Sequence, residues 1–145
     1  MSRTKSKTIL LPIDLNAPAE AARALAEALS LLGPDGILHV VSVMPDFGMP
    51  QVSGYFRKDY EKEMMAGFGD ALRDWVAQNV PDTVEVHPHI LQGTIYDEIL
   101  RAADKLAVDL IVMASHRPEL SDYLLGPNAA RVVRHARQSV YVVRN

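Results

Sequence analysis

The chain has 145 residues, of which 48% are hydrophobic and 23% charged, and its formal net charge is −3. These values are typical of one globular domain with a single hydrophobic core. The absence of cysteine excludes disulfide bonds, thiolate metal sites and cysteine nucleophiles. The mild acidity argues against a nucleic-acid partner, which usually needs a basic face.

No segment of the sequence indicates a membrane protein. The longest apolar run, Leu110 to Ala114, is far below the roughly 18 residues of a membrane-spanning helix. The basic residues 1–7 continue directly into a strand-like run, with no signal-peptide core after them. We therefore expect a cytoplasmic protein without a membrane partner.

Short apolar runs alternate with helical patterns along the chain. The predicted strands are Lys7–Ile13, Ile37–Val43, Val84–Leu91, Val108–Met113 and Val140–Val143. The predicted helices are Pro18–Leu32, Lys58–Asn79, Ile95–Leu106 and Pro127–Arg137, with Asn16 and Thr94 as predicted N-caps and loops over Met44–Ser53 and Ala114–Leu125. This alternation predicts an α/β fold: a doubly wound open sheet of five parallel strands with four helices, in one domain over residues 1–145.

Ligands of such sheets bind beyond the carboxyl ends of the strands, where the sequence places several polar residues. Asp14 follows the first strand and is either a site acid or a turn-forming residue. Ser115, His116 and Arg117 follow the fourth strand. A serine beside a histidine suggests nucleophilic catalysis, but residues adjacent in sequence rarely face each other as nucleophile and base. An anion contact by Arg117 is therefore the better interpretation of this cluster. A phosphate could also meet the helix that begins near Gly126.

The histidines give a weaker signal. His87 and His89 would share one face of a strand, and such a pair can begin a metal site. The sequence shows neither a carboxylate nor a third histidine beside them at ligand spacing, so we predict no metal and two edge-strand histidines. His39 is predicted in or near the core. The chain has no Gly-x-Gly-x-x-Gly and no Gly-Lys-Ser/Thr motif, so neither a dinucleotide oxidoreductase nor a P-loop hydrolase is supported.

Several segments together resemble the universal stress protein family. The opening Ile9–Asp14, the second-strand run Leu38–Val41 and the C-terminal third carry the resemblance. In that third, Ala-Ser-His-Arg-Pro at 114–118 and Leu-Leu-Gly at 124–126 are similar to a small bacterial subgroup. The resemblance covers the whole chain and implies the same order of strands and helices.

Nucleotide-binding members of that family carry Gly-x-x-Gly, nine residues, then Gly-Ser/Thr, and this chain retains that motif only in part. Ala114 and Arg117 stand at the first two glycine positions, eight residues separate Arg117 from Gly126, and Pro127 replaces the serine or threonine. Pro127 lacks both the hydroxyl and the N–H that a phosphate would use. Arg117 offers a cation instead.

The resemblance implies a site for AMP, ADP or ATP with weakened phosphate contacts, and Mg²⁺ only with ATP. The implied residues are Pro12, Ile13, Asp14, Val40, Met113, Ala114, His116, Arg117, Gly126, Asn128 and Ala129. Two alternatives stay open: a dimeric protein that acts through protein contacts without nucleotide, and a slow ATP hydrolase. The sequence indicates no catalytic residue.

The resemblance also implies a homodimer. Family members commonly pair the last strand with its copy across a two-fold axis, and an apolar last strand at a sheet edge would offer unpaired backbone groups. We therefore predict an interface at Val140, Tyr141, Val142 and Val143.

Overall fold

A computed structural model describes residues 6–44, 54–115 and 127–144. Five strands and four helices alternate in these ranges: β1 (Thr8–Pro12), α1 (Pro18–Leu32), β2 (Ile37–Met44), α2 (Gly54–Asn79), β3 (Glu85–Gln92), α3 (Ile95–Lys105), β4 (Leu110–Ala114), α4 (Pro127–His135) and β5 (Ser139–Val143). The sheet order is β3-β2-β1-β4-β5 and every pair is parallel. The predicted α/β class and five-stranded parallel sheet are confirmed.

The largest difference between predicted and observed boundaries is at the start of α2, and the other boundaries agree within two residues. The helix α2 begins at Gly54, earlier than the predicted Lys58. The N-cap of α1 is Ala17, without a side-chain cap, so the prediction of Asn16 was wrong. Thr94 does stand at the N-cap of α3, although its hydroxyl makes no capping hydrogen bond. Residues 45–53 and 116–126, which contain most of the two predicted loops, lie outside the described residues.

The sheet separates two hydrophobic layers. One layer joins α1 and α2 to residues such as Ile9, Leu11 and Leu38, and the other joins α3 and α4 to Leu10 and Ile111. Neighbours along a strand alternate between the layers because successive side chains point to opposite faces. In β1 the side chains of Ile9, Leu10 and Leu11 are all completely buried, which explains the continuous apolar run in the sequence.

The edge strand β3 contains Pro88, which pairs with Val40 of β2. The N–H of Gly93 donates to the Met44 carbonyl of β2 at 3.1 Å. Because backbone groups of alternate residues point to opposite sides of a strand, the even-numbered residues of β3 direct theirs away from β2. The N–H that Pro88 lacks would therefore have pointed off the sheet, and the proline costs no ladder hydrogen bond.

A pair of glycine substitutions tests the turn between α1 and β2. A Cβ on Gly36 would lie 2.3 Å from the Leu32 carbonyl oxygen, which already accepts from the Lys7 N–H at 3.0 Å and cannot move freely. We expect Gly36→Ala to lower the free energy of unfolding by about 1–3 kcal/mol. Gly67→Ala in α2, where a Cβ meets nothing within 4 Å, should stabilise by up to about 1 kcal/mol. Urea unfolding measures both, and equal effects would contradict this account.

Candidate functional site

A cleft of about 450 Å³ opens where β1, β2 and β4 end, bounded by α1, α3 and the start of α4. This volume lies within the range of small-molecule sites. Its lining residues are Pro12, Ile13, Asp14, Asn16, Ala17, Glu20, Ala21, Ala24, Val41, Ser42, Val43, Phe68, Ile95, Ile99, Met113, Ala114, Ser115, Pro127, Asn128 and Ala129. The cleft therefore occupies the edge of the sheet at which α/β folds bind ligands.

Asp14 is held by the turn that connects β1 to α1. Its Oδ1 accepts a hydrogen bond from the Asn16 N–H at 2.8 Å, and its carbonyl accepts from the Ala17 N–H at 2.9 Å. The sequence left Asp14 as either a turn-former or a site acid. The structure shows the turn and also places Asp14 in the cleft lining.

The wall on the α3 and α4 side is apolar. Ile99 and Ala129 are almost completely buried there, and Met113 is 6% exposed. The start of α4 is held against α3 partly by a cation–π contact, with the Arg131 guanidinium 4.7 Å from the centre of the Tyr96 ring. The N-terminal turn of α4 therefore faces the cleft beside an apolar surface.

The opposite wall is more polar. Asp14 and Glu20 are the only charged side chains among the described lining residues, and both are acidic. The Glu20 carboxylate lies 3.7 Å from the Arg23 guanidinium. Ser42 is only 3% exposed at the end of β2. An anion in the described part of the cleft would thus depend on backbone amides and not on a basic side chain.

Seven of the predicted site residues line the cleft: Pro12, Ile13, Asp14, Met113, Ala114, Asn128 and Ala129. Val40 does not. Its side chain is completely buried in the layer under α1 and α2, and β2 reaches the cleft through Val41, Ser42 and Val43 instead. The predicted His116, Arg117 and Gly126 lie outside the described residues.

The sequence reasoning did not assign Glu20, Ser42, Ile95 or Ile99 to the site. Glu20 stands in the first turn of α1 and Ile95 in the first turn of α3. Because a helix that follows a parallel strand begins at that strand's carboxyl end, first-turn residues are candidates for the site. Ile99 follows Ile95 by one helical turn, on the same face. Phe68 of α2 also lines the cleft.

The last strand forms the edge opposite β3. Val143 is 8% exposed and packs into the layer with α1, whereas Tyr141 is 40% exposed and its hydroxyl donates to Glu27 Oε2 at 3.2 Å. The Val143 carbonyl accepts from the Ser115 N–H at 3.0 Å on the β4 side. By alternation, Val140 and Val142 direct their N–H and C=O groups to the open edge.

A histidine cluster, formed by His39, His87 and His89, lies on the α3 and α4 face of β2 and β3. His39 Nδ1 is 3.0 Å from His89 Nε2, and the His39 and His87 rings stack with their centres 5.3 Å apart. His87 Nε2 is 2.8 Å from Glu85 Oε2. Burial lowers the pKa of His39 and of His89, and the pKa of both is lowered further by neighbouring positive charge, including Lys105 of α3 for His89.

Comparisons with known proteins agree with this architecture. The model of the universal stress protein family matches residues 5–144. Universal stress protein G of Escherichia coli O157:H7 is 30% identical over 141 residues, which cover 95% of this chain and 99% of that protein.

Two solved structures share the fold. The universal stress protein UspA of Lactobacillus plantarum superposes with a TM-score of 0.72 at 23% identity, over 99% of this chain and 100% of that one. A universal stress protein in complex with cAMP superposes with a TM-score of 0.65 at 18% identity, over 96% and 97% of the two chains.

The histidine cluster makes stability depend on pH. Folding lowers the pKa values of His39 and His89 below their ordinary 6.5, so the unfolded chain binds more protons than the folded chain as the pH falls below 6.5. The contribution of these two neutral histidines to the free energy of unfolding is complete above pH 6.5, and it is lost as the pH falls through their pKa values in the folded state. Urea unfolding between pH 7.5 and 5 in metal-free buffer should show this loss, with a shallower slope in His89→Gln and an unchanged slope in His135→Gln. Parallel slopes in all three proteins would contradict it.

Proposed function

The chain belongs to the universal stress protein family, and from the cleft at the ends of β1, β2 and β4 we propose that it is a regulatory module that binds an adenine nucleotide. The observation that carries the proposal is the composition of the cleft: an apolar wall, a carboxylate and a helix N-terminus surround about 450 Å³. A nucleotide needs these three environments for its base, its ribose and its phosphates. The complex of a related protein with cAMP supports the same ligand class.

In this proposal the base lies against the apolar wall formed by Ile95, Ile99 and Met113. The Ile13 N–H donates to the Val41 carbonyl at 2.9 Å, so the backbone groups of Val41 point toward β1. Those of Val43 point the same way by alternation, beyond Pro12, where β1 ends. The family resemblance implies a contact between the edge of the base and the Val40 backbone, and we assign this contact to the Val43 backbone instead.

Asp14 is the acceptor for ribose hydroxyls. Its Oδ1 accepts from the Asn16 N–H, and an ionised carboxylate can accept several hydrogen bonds at once. The preformed turn fixes the carboxylate before the ligand arrives, which reduces the entropy lost on binding.

The phosphates meet the N-terminal turn of α4. The amides of Asn128 and Ala129 are the donors there, since Pro127 has none. The negative charges of Asp14 and Glu20 repel a highly charged ligand. Each added phosphate therefore increases the binding affinity only slightly in the described part of the cleft. His116, Arg117 and Gly126 belong to this proposal as further phosphate contacts. Mg²⁺ would enter only with ATP, by offsetting this repulsion.

We propose one universal stress protein domain over residues 1–145, acting in the cytoplasm. No helix in ranges 6–44, 54–115 and 127–144 is both long and apolar enough to cross a membrane. The two alternatives, a partner-binding protein without nucleotide and a slow ATP hydrolase, are outcomes of the titrations below.

The substitution Pro127→Ser tests the phosphate contacts. Serine supplies a hydroxyl and an N–H at the first position of α4, so we expect it to strengthen binding of ATP by at least about tenfold, the contribution of one hydrogen bond to a charged group, and to leave adenosine binding unchanged. Calorimetry with adenosine, AMP, ADP and ATP measures this. Pro18→Ser, at the start of α1, is the matched control and should change neither ligand.

The outcomes separate the alternatives. No heat from any nucleotide at millimolar concentration would refute nucleotide binding and leave the partner-binding reading. An equal gain for adenosine and ATP in Pro127→Ser would refute the phosphate assignment alone. Release of inorganic phosphate that Asp14→Asn abolishes would favour the hydrolase. The amide introduced by Asp14→Asn keeps an oxygen that can accept from the Asn16 N–H, so this variant preserves the turn.

We further propose that β5 pairs with its copy to form a homodimer. The open-edge backbone groups of Val140 and Val142 would bond across a two-fold axis, with Tyr141 exposed beside them. The side chain of Val143 is buried within its own chain and contributes no contact to the partner.

A proline at Val142 tests this interface. It removes an N–H that points off the sheet, so we expect a folded monomer by light scattering at micromolar concentration, where the unmodified protein is a dimer. Gln92→Pro removes an N–H from the open side of the other edge strand, and this control should stay dimeric. A monomeric unmodified protein would refute the interface.

A further inference from the structure

The histidine cluster is separate from the nucleotide cleft. His39 precedes the cleft residue Ser42 by three positions in β2, which corresponds to roughly 10 Å along a strand. Its three imidazoles come from two adjacent strands, because His39 and His87 are register partners and His89 follows two residues later on the same face. The sequence showed only the two histidines of β3 as neighbours, and pairing with β2 supplies the third.

We propose that the histidine cluster binds one transition metal ion of the zinc class, with His39, His87 and His89 as nitrogen ligands and Glu85 as the carboxylate that orients His87. Imidazole nitrogens suit Zn²⁺, Cu²⁺ and Ni²⁺, whereas Mg²⁺ prefers oxygen ligands. Two strands of one sheet hold the ligands, so the backbone is already in place before the ion arrives.

The spacing of the rings fits this assignment. Two nitrogens at about 2.0–2.1 Å from a tetrahedral ion lie about 3.3 Å apart, and His39 Nδ1 and His89 Nε2 are 3.0 Å apart. The centres of imidazoles that share such an ion lie about 5.2 Å apart on the same bond lengths. The observed distances from the His39 ring centre are 5.3 Å to His87 and 5.1 Å to His89.

Glu85 gives His87 its orientation. The 2.8 Å contact between Glu85 Oε2 and His87 Nε2 leaves Nδ1 as the free nitrogen of that ring. A carboxylate on the remote nitrogen of a ligating histidine fixes its tautomer and raises its basicity. His87 and Glu85 have side chains 49% and 59% exposed, so the fourth coordination position is open to water.

Without a metal ion, the side chains of the three histidines stand close to the proposed ligand positions but do not yet point to one ion. Among the described residues, no three donors converge on a single ion position as the side chains stand. A proton shared by His39 and His89 occupies the line between two of the ligand nitrogens. On binding, this proton moves to the remote nitrogen of the ring that carries it, so both imidazoles stay neutral. The nitrogen pair opens by about 0.3 Å toward the tetrahedral spacing, and the exposed His87 and Glu85 side chains turn together toward the ion.

Zinc titration of the full chain, purified without a histidine tag, tests the site. Calorimetry should give one Zn²⁺ per chain, none in His39→Gln, and no binding of Mg²⁺. Glu85→Gln should weaken zinc binding by about 10–100-fold, as loss of an orienting carboxylate does. His135→Gln and His116→Gln are controls for the other histidines and should bind zinc normally.

Two further readouts separate the site from non-specific binding. Co²⁺ should give the visible spectrum of a tetrahedral nitrogen site, and this spectrum should disappear in His89→Gln, whose amide can still bond to His39 and maintain the fold. Zinc at a hundredfold excess over its Kd should raise the Tm by about 5–10 °C. Absence of saturable zinc binding, or zinc binding that survives both His39→Gln and His89→Gln, would overturn the proposal.

Discussion

The burial of β1 on both faces is the constraint on which the rest of the structure depends. Its three central side chains are fully buried, packed alternately against α1 and against the α3 and α4 layer. A strand in this position cannot carry a polar side chain without a partner inside the core. The polar chemistry of the chain therefore begins where the strand ends, and Asp14 is the second residue after Pro12.

The same constraint shapes the cleft. The neighbouring strands β2 and β4 are almost as buried as β1, and the buried serines Ser42, near the end of β2, and Ser115, directly after β4, also lie at the carboxyl ends. Three strands thus deliver one polar group each to the same edge of the sheet. The helices add the other surfaces there, because α1, α3 and α4 all begin at this edge. The cleft is a consequence of parallel strands in a doubly wound sheet, and its ligand is decided by the few side chains at their ends.

The two edge strands, β3 and β5, are less buried than the central strands and therefore carry the remaining polar side chains of the sheet. On β3, exposure allows Glu85, His87 and His89 to occupy a face that is apolar farther along the strand. On β5, Tyr141 extends into solvent while Val143 stays in the core. An edge strand has one open side, so β3 accommodates Pro88 and β5 retains backbone groups for a partner. The centre of the sheet therefore supports the cleft proposed to bind a nucleotide, and its margins support the proposed dimer and metal site.

The sequence by itself determined the order of the elements, the parallel sheet and the position of Asp14, because buried strands leave continuous apolar runs and helices leave a regular period. It also indicated that Ala114 and Asn128 would stand near the site, through their places next to a strand end and a helix start. Only the tertiary structure decided that Val40 is buried away from the cleft, because one residue of strand register moves a side chain to the other face. Only strand pairing decided that His39 joins His87 and His89, because residues 48 and 50 positions apart become neighbours through hydrogen bonds that no local pattern encodes.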